Sequence, residues 1–157
     1  MSIEPTTFRT ALGRFASGVT IVSVADDEGV HGITVSAFCS VSMEPPLVLV
    51  SIGHRARAHA RVAAAGRFGV SVLSGAQQSL SDRFAGRPDV VEAPAWDTEG
   101  WVSPVLSGAI ARLDCQVEQA VEAGDHTLFI GRVVRADSNE GEALAYWRGA
   151  YRAVVAR

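Results

Sequence analysis

Residues 109–136 read AIARLDCQVEQAVEAGDHTLFIGRVVRA and contain the clearest β-hairpin of the chain. Two long segments, Ala109 to Ala123 and His126 to Ala136, flank Gly124-Asp125. A two-residue connection that contains glycine is typical of a tight turn between antiparallel strands. The sequence therefore predicts two long antiparallel strands joined by a short turn.

A second hairpin and a further strand are predicted upstream. Val19 to Ala25 and Val30 to Val41 are rich in β-branched residues and flank the polar turn Asp26 to Gly29. Pro45-Pro46 then interrupt the chain before Leu47 to Ile52. Because that last segment is apolar on both faces, it is predicted to be a central strand.

Short helices and further segments complete the predicted secondary structure. Thr6-Thr7 precede Phe8, Leu12 and Phe15 at helical spacing, and Gly18 is predicted to end this amphipathic helix. The remaining predicted elements are a helix from Arg55 to Ala65 closed by Gly66, a strand from Phe68 to Leu73, a helix from Gln77 to Phe84, a loop from Gly86 to Pro104 and a last segment from Leu144 to Val155.

This order of elements indicates a mainly β fold. About six strands with hairpin connections and only short helices favour an antiparallel β-barrel over a parallel doubly wound sheet. The length of 157 residues suits one domain over residues 1–157. The chain has no G-x-G-x-x-G motif, so a nicotinamide cofactor would have to bind without a Rossmann turn.

Composition excludes several classes of partner and site. The formal net charge of −3 gives no overall attraction to nucleic acid or anionic membranes. Cys39 and Cys115 match no metal-ligand spacing, and the hydrolase and metalloprotease motifs are missing, so no metal site is predicted. The first residues lack a signal-peptide pattern and no apolar run is long enough to span a bilayer, so we expect a soluble, cytoplasmic protein with reduced thiols.

The first candidate site segment is Gly32 to Phe38, which places small and hydroxylated residues in a strand expected to be buried. Small side chains let a flat heteroaromatic ligand approach main-chain N–H groups while one of its faces stays open. A tightly packed or edge strand without a ligand explains the same residues.

The second candidate is Gly53 to Arg61, at a predicted strand-to-helix junction. Residues 53–67 contain four arginines and no acidic residue in a chain that is net negative. Free N–H groups at such a junction and adjacent guanidinium groups can bind a phosphate. A solvated helix face is the alternative.

The third candidate is His126, directly after the turn of the long hairpin. A histidine at a barrel rim can orient a nicotinamide or stabilise charge on a reduced flavin, since hydride transfer requires no protein nucleophile. An exposed histidine that caps the turn is the alternative.

Taken together, these segments resemble the short-chain flavin reductase family, the reductase components of two-component flavin-dependent monooxygenases. The resemblance covers most of the chain, and it depends on the order and spacing of short motifs. These are Phe15 to Val22, Gly32 to Phe38, Val41 to Leu47, Gly66 to Leu73, Gln78 to Phe84, Gly124 to Val133 and Tyr146 to Tyr151.

The resemblance implies a fold, a function and a set of site residues. The fold is an antiparallel Greek-key split barrel, the cofactors are FMN or FAD with NADH or NADPH as hydride donor, and a homodimer is expected. A separate monooxygenase would receive the reduced flavin. The implied ligand contacts are Thr34, Val35, Ser36 and Ala37 for the isoalloxazine, Ser51, Ile52, Gly53, Arg55, Arg57 and Ala58 for the phosphate-bearing tail, Ser81 and Phe84 for the flavin, and His126 with Tyr146, Trp147 and Arg148 for the nicotinamide.

The leading hypothesis is an NAD(P)H:flavin oxidoreductase that supplies free reduced flavin to a partner monooxygenase, with His126 as its catalytic residue. A non-catalytic split-barrel carrier or sensor of flavin is the second hypothesis, and a ligand-free dimerisation module is the third. One departure from the family pattern is that Ala56 and Ala58 stand where Ser and Thr are common. The choice between FMN and FAD therefore stays open.

Overall fold

A computed structural model describes residues 2–87, 89, 92–155 and 157. Its main feature is a seven-stranded antiparallel sheet in the order β3-β2-β6-β9-β10-β5-β4. The strands are β1 (Ser17–Gly18), β2 (Thr20–Asp26), β3 (Gly29–Val35), β4 (Phe38–Met43), β5 (Pro46–Gly53), β6 (Arg67–Val72), β7 (Trp96–Asp97), β8 (Val105–Leu106), β9 (Ala111–Ala123), β10 (His126–Ser138), β11 (Leu144–Trp147) and β12 (Ala150–Ala153). The mainly β, antiparallel fold predicted from the sequence is confirmed.

The long hairpin lies in the middle of the sheet. β9 and β10 pair along their whole lengths, from His126 opposite Ala123 to Ser138 opposite Ala111, and Gly124 in the turn has a φ of 66°. β5 and β6 follow each other in the chain but lie on the two sides of this hairpin. The connection between them is therefore of the Greek-key type.

The sheet curls until its two edges nearly meet. β3 and β4 are the edge strands, yet only residues 36 and 37 connect them. Val35 and Phe38 are three residues apart, so their Cα atoms are separated by at most about 11 Å. The seven strands must therefore bend round to bring the ends of these edges together. No β3–β4 pairing occurs in the described part of the chain, so the barrel is split between these strands.

This split corrects the predicted single strand from Val30 to Val41. β3 pairs with β2, whereas β4 pairs with β5, starting from Phe38 opposite Val50. The alternation of small and β-branched residues continues through both strands, so the pattern gives no signal of the break. The break exists because the two halves pair with strands near opposite edges of the sheet, on either side of the split.

The three α-helices in the described ranges are short, and the first differs most from its prediction. α1 (Pro5–Leu12) starts at a proline after Glu4 and ends at Gly13, so Gly18 does not terminate it. Its apolar side chains are exposed, with Phe15 beyond its end 81 % exposed. α2 (Arg57–Ala65) ends at Gly66, whose φ is 64°, as predicted, and α3 (Gln78–Phe84) follows a single 3₁₀ turn over residues 75–77.

Two apolar clusters pack against the two faces of the sheet. The larger fills the barrel interior with Val22, Val50, Phe68 and Phe129 among its buried members. The smaller lies outside, where α3, β8 and β11 cover the opposite face of β2. Successive β2 residues point to opposite faces, so Ile21 joins the outer cluster while Val22 joins the inner one.

The later segments form two small sheets. The predicted loop from Gly86 to Pro104 contains β7, which pairs with β8, while residues 88, 90 and 91 within it lie outside the described residues. The segment from Leu144 is a hairpin of β11 and β12, and β1 adds a third strand to it. No helix in the described ranges is long and apolar enough to cross a membrane.

Candidate functional site

The principal cavity opens where the barrel is split. Its volume is about 910 Å³, within the usual range of small-molecule and cofactor sites. Its lining comes from three parts of the chain that are distant in sequence: Arg9, Thr10, Leu12, Gly13, Arg14, Phe15 and Ser17, then Ser36, Ala37, Phe38, Cys39 and Leu49, and finally Tyr146, Trp147, Arg148 and Gly149. Five of the predicted site residues, Ser36, Ala37, Tyr146, Trp147 and Arg148, therefore meet there.

One wall of the cavity is the junction between β3 and β4. Ser36 and Ala37 are exposed, since here the chain leaves one sheet edge for the other. The main-chain N–H of Ser51 donates to the carbonyl of Ala37 over 3.1 Å. That hydrogen bond ties the predicted ring-binding segment to the outward face of β5.

The other wall joins the two ends of the chain. The indole N–H of Trp147 donates to the carbonyl of Arg14 over 3.0 Å, and the N–H of Arg148 donates to the carbonyl of Gly13 over 3.0 Å. Arg148 and Gly149 have φ values of 53° and 77°, and positive φ at both central residues is the mark of a tight type I′ hairpin turn. This turn presents Trp147 and Arg148 to the cavity.

The cavity is cationic and aromatic. Arg9, Arg14 and Arg148 line it, and its lining residues include no carboxylate. The guanidinium carbon of Arg148 lies 5.3 Å from the centre of a Trp147 ring. Guanidinium groups bind phosphates and aromatic rings stack on planar heterocycles, so these residues suit a flat ligand with an anionic tail.

The outward face of β5 leads from the cavity to His126. Leu49, Ser51 and Gly53 are the alternate residues of β5 that lie on this face. Gly53 pairs with His126 of the neighbouring strand β10. A Cβ atom at Gly53 would lie 3.5 Å from Nε2 of His126, an ordinary van der Waals contact, so the imidazole lies directly against Gly53. At about 3.3 Å per residue, His126 lies roughly 13 Å from the part of the cavity at Leu49.

An acidic neighbour orients His126. Its Nδ1 lies 2.7 Å from Oδ1 of Asp125, and the imidazole is 47 % exposed. The hydrogen bond from His126 is the main reason that the pKa of Asp125 is lowered. Asp125 thus holds the imidazole ring through Nδ1, while Nε2 is available to a ligand at the rim of the barrel.

Four predicted flavin contacts lie away from the cavity lining. The hydroxyl of Thr34 donates to the carbonyl of Ser81 over 2.6 Å, and Val35 packs in the barrel core. The ring of Phe84 lies only 2.8 Å from where a Cβ of Gly32 would be, so this glycine accommodates a protein side chain. Direct flavin contacts by Thr34, Val35, Ser81 and Phe84 stay predictions.

Ser81 also belongs to a partly buried network with Tyr151. The two hydroxyls are 2.8 Å apart, and the phenol of Tyr151 donates to Asp82 over 3.0 Å. Burial raises the pKa of Tyr151, so the phenol keeps its proton at neutral pH. This network fixes β12 against α3.

The residues predicted to bind the phosphate-bearing tail, within Ser51 to Ala58, differ in burial and lie against different parts of the surface. Ile52 and Ala58 are buried, and Arg55 is exposed. Arg57 points to a second depression, of about 780 Å³, which it shares with Asp26. The segment therefore does not form one continuous surface around the principal cavity.

Sequence reasoning missed the N-terminal arginines. Arg9 and Arg14 were assigned no role, although Phe15 to Val22 contributed to the family resemblance. Helical spacing drew attention to the apolar residues of this stretch, and only its docking against Trp147 shows that the arginines face a cavity.

The chain is similar to known proteins over nearly its whole length. Residues 12–155 match the family model of the flavin reductase like domain. The chain is 44 % identical to an NADH-dependent flavin reductase of Rhodococcus sp, over 97 % of this chain and 88 % of the relative. It is also 38 % identical to the flavin-dependent monooxygenase reductase subunit HsaB of Rhodococcus jostii, over 96 % of this chain and 78 % of that protein.

A solved structure has the same architecture. The flavin reductase PheA2 in its native state superposes with a TM-score of 0.94 at 38 % identity, and the match covers 98 % of this chain and 100 % of that one.

Proposed function

The chain belongs to the flavin reductase like domain family, and from this premise we propose that it is an NADH-dependent flavin reductase that supplies free reduced FMN or FAD to a separate monooxygenase. The observation that carries this function is the cavity at the split of the barrel. It is lined by aromatic rings and three arginines, without a carboxylate. This chemistry matches a planar ring system with phosphate groups.

The residues fit a flavin. The cavity volume of about 910 Å³ is large enough for a heteroaromatic nucleotide. A bound flavin supplies a ring that accepts hydride from the nicotinamide of NADH. The protein contributes the binding surfaces, the relative orientation of the two cofactors and the exclusion of water.

Ser36 and Ala37 are placed to bind the ring. They are exposed at the break between β3 and β4, so their main chain is accessible. Backbone groups at such a position can meet ring nitrogens and carbonyls without competing side chains. Tyr146 and Trp147, on the opposite wall, offer aromatic faces for stacking.

Arg9, Arg14 and Arg148 are placed to bind phosphate. Each is permanently charged, and a fork-shaped guanidinium can make paired hydrogen bonds to phosphate oxygens. We assign Arg55 a supporting role in the tail site, since it is exposed at the end of β5. Both FMN and FAD carry phosphate groups of this kind.

His126 is proposed to position the nicotinamide. Asp125 holds Nδ1, so Nε2 is the nitrogen available at the rim. The imidazole and the cavity both lie along the outward face of β5, which supports a nicotinamide site next to the flavin site. Because hydride passes directly between cofactors, His126 acts by orientation and not as a nucleophile.

We also propose that the protein is a homodimer. β4 is an edge strand that exposes Val41 and Met43, which are 48 % and 89 % exposed. Exposed apolar residues on an edge strand are a liability unless another surface covers them. A second copy of the chain would provide that cover.

Steady-state kinetics test the reductase function. The purified chain should oxidise NADH when FMN or FAD is added, and NADPH with each flavin gives the comparison of hydride donors. Consumption of neither nucleotide with either flavin would refute the proposal. Flavin binding without oxidation of NADH or NADPH would instead identify a carrier.

A further inference from the structure

A cluster of histidines and a carboxylate lies at the end of the barrel, outside the cavity lining. Nε2 of His54 is 2.9 Å from Oε2 of Glu122, and Nε2 of His59 is 2.7 Å from the hydroxyl of Thr127. That hydroxyl donates to Oε1 of Glu122 over 2.8 Å. The ligand atoms of His54, His59 and Glu122 all lie within 4.8 Å of one another.

The fold brings these groups together from different elements. His54 follows β5, His59 lies in α2, Glu122 is near the end of β9 and Thr127 is near the start of β10. The N–H of His54 donates to the carbonyl of Asp125 over 2.9 Å, which anchors its backbone to the turn of the long hairpin. The cluster is therefore built on paired strands.

Ring packing orients the two imidazoles. Their ring centres are 5.1 Å apart in an edge-to-face arrangement, and the ring of His59 packs 5.4 Å from Phe129, a core residue. Both rings direct Nε2 toward the hydroxyl of Thr127, at 3.2 Å from His54 and 2.7 Å from His59, and Nε2 of His54 also contacts Glu122. Two convergent imidazole nitrogens and one carboxylate oxygen are a common set of transition-metal ligands.

We propose that His54, His59 and Glu122 bind a Zn²⁺ ion, with water in the fourth position. Zinc ligands at about 2.0–2.2 Å in a tetrahedral site are separated by roughly 3.3–3.6 Å. The three ligand atoms here all lie within 4.8 Å of one another, so small side-chain movements suffice to reach that geometry. The metal binds the lone pair of each Nε2 atom, so each neutral imidazole carries its proton on Nδ1 in the metal-bound form. Thr127 keeps its hydrogen bond to Oε1 of Glu122, so Oε2 coordinates the metal and the carboxylate stays oriented.

A second cluster in the described residues has a different character. Asp26, Glu28 and His31 also converge, but the guanidinium of Arg61 pairs with both carboxylates. A cation thus already occupies the point where a metal would bind. This makes His31 a matched control, since it is a partly exposed histidine beside a carboxylate.

Calorimetric titration of the untagged, EDTA-treated full chain with Zn²⁺ tests the proposal. We expect one ion per chain for the wild type and for His31→Ala. His54→Ala and Glu122→Gln each remove a direct ligand. Loss of an outer-shell partner typically lowers metal affinity roughly 10–100-fold, so each of these variants should lower Zn²⁺ affinity by at least that factor. Both positions are exposed, and circular dichroism checks that the variants fold.

Substitution of Co²⁺ gives a second readout. The visible absorption of tetrahedral Co²⁺ should appear in the wild type and in His31→Ala, and it should disappear in His54→Ala. Absence of one-to-one Zn²⁺ binding would overturn the proposal. So would binding that is unchanged in both ligand variants, or binding that is lost in His31→Ala. These outcomes do not depend on reductase activity, so a failure here would leave the proposed function standing.

Discussion

At the scale of single residues, Gly131 shows how closely the barrel interior is packed. A Cβ atom there would lie 2.6 Å from Cζ of Phe68, which is fully buried, and 3.0 Å from Cβ of Cys115. Gly131→Ala should therefore lower the free energy of unfolding by about 1–3 kcal/mol, because neither neighbour can move without disturbing the core. Urea denaturation followed by circular dichroism measures the change.

The matched control for that substitution is Gly18→Ala. Open space surrounds a Cβ at Gly18, so its effect should stay within about 0.5 kcal/mol. Equal stability of the two variants would mean that the core around Phe68 adapts more readily than the distances indicate.

His126 carries the residue-scale prediction about catalysis. His126→Ala should lower kcat/KM for NADH about 10-fold, since the loss of one orienting interaction of about 1.4 kcal/mol corresponds to that factor. Flavin affinity should change by less than about twofold, because His126 lies outside the cavity lining. Steady-state kinetics and fluorescence titration with flavin separate the two effects.

His31→Ala is the control for this experiment, since His31 lies on β3 beside Asp26. Weaker flavin binding in His126→Ala, with unchanged kinetics for NADH, would place the imidazole on the flavin and not on the nicotinamide.

At the scale of elements, the β11–β12 hairpin forms a wall of the cavity and presents Trp147 to it. Trp147→Ala should weaken flavin binding about 10-fold, because stacking on an aromatic ring contributes roughly 1–3 kcal/mol. Trp147→Phe loses the hydrogen bond to Arg14 but keeps an aromatic face, so most of the affinity should remain. Equal losses in the two variants would show that docking of the hairpin, and not stacking, determines affinity.

Arg112 connects three strands through paired carboxylates. It lies on β9, pairs with Asp97 of β7, and donates two hydrogen bonds to Asp137 of β10, from Nε over 2.8 Å and from Nη2 over 2.5 Å. These hydrogen bonds are the main reason that the pKa of Asp137 is lowered from its ordinary 3.8. The stabilising contribution of this carboxylate is therefore present above that value and is lost as the pH falls through the lower, folded-state pKa.

Asp137→Asn should accordingly destabilise the protein at neutral pH by about 1 kcal/mol, a modest figure because solvent screens the partly exposed pair. The difference from wild type should shrink as the pH falls below 3.8. Urea denaturation midpoints at a series of pH values measure this difference in stability. The control is Asp27→Asn, which removes a carboxylate in an exposed turn. A difference that stays constant down to low pH would show that the ion pair is not its source.

At the scale of the whole molecule, the exposed edge strand β4 predicts self-association. Sedimentation velocity should show a species of two chains. Met43→Asp should raise the dimer dissociation constant about 10-fold or more, because it places a charge on an apolar contact surface. Ile3→Asp adds the same charge at another exposed apolar residue and should leave the dimer intact. A monomeric wild type would contradict the prediction.

Much of the fold could be predicted because its signals are local. Gly124 marks the turn of the long hairpin and Gly66 the end of α2, since both positions require positive φ. The site was predicted less completely. Ser36 and Ala37 belong to a segment chosen for its small residues, and Trp147 was proposed through the family resemblance. All three line the cavity, but so do Arg9 and Arg14, which were not proposed because nothing near them in the sequence indicates a ligand.

The sequence by itself determined the turns of the two main hairpins, the end of α2 and the family, because turn chemistry and short motifs act between residues close together in the chain. Only the tertiary structure decided that β3 and β4 separate at residues 36 and 37, since their partners lie on opposite sides of a curled sheet. It also decided where the cavity forms. The hydrogen bond from Trp147 to Arg14 joins residues 133 positions apart, and such a contact exists only when the barrel brings both chain ends to the same split.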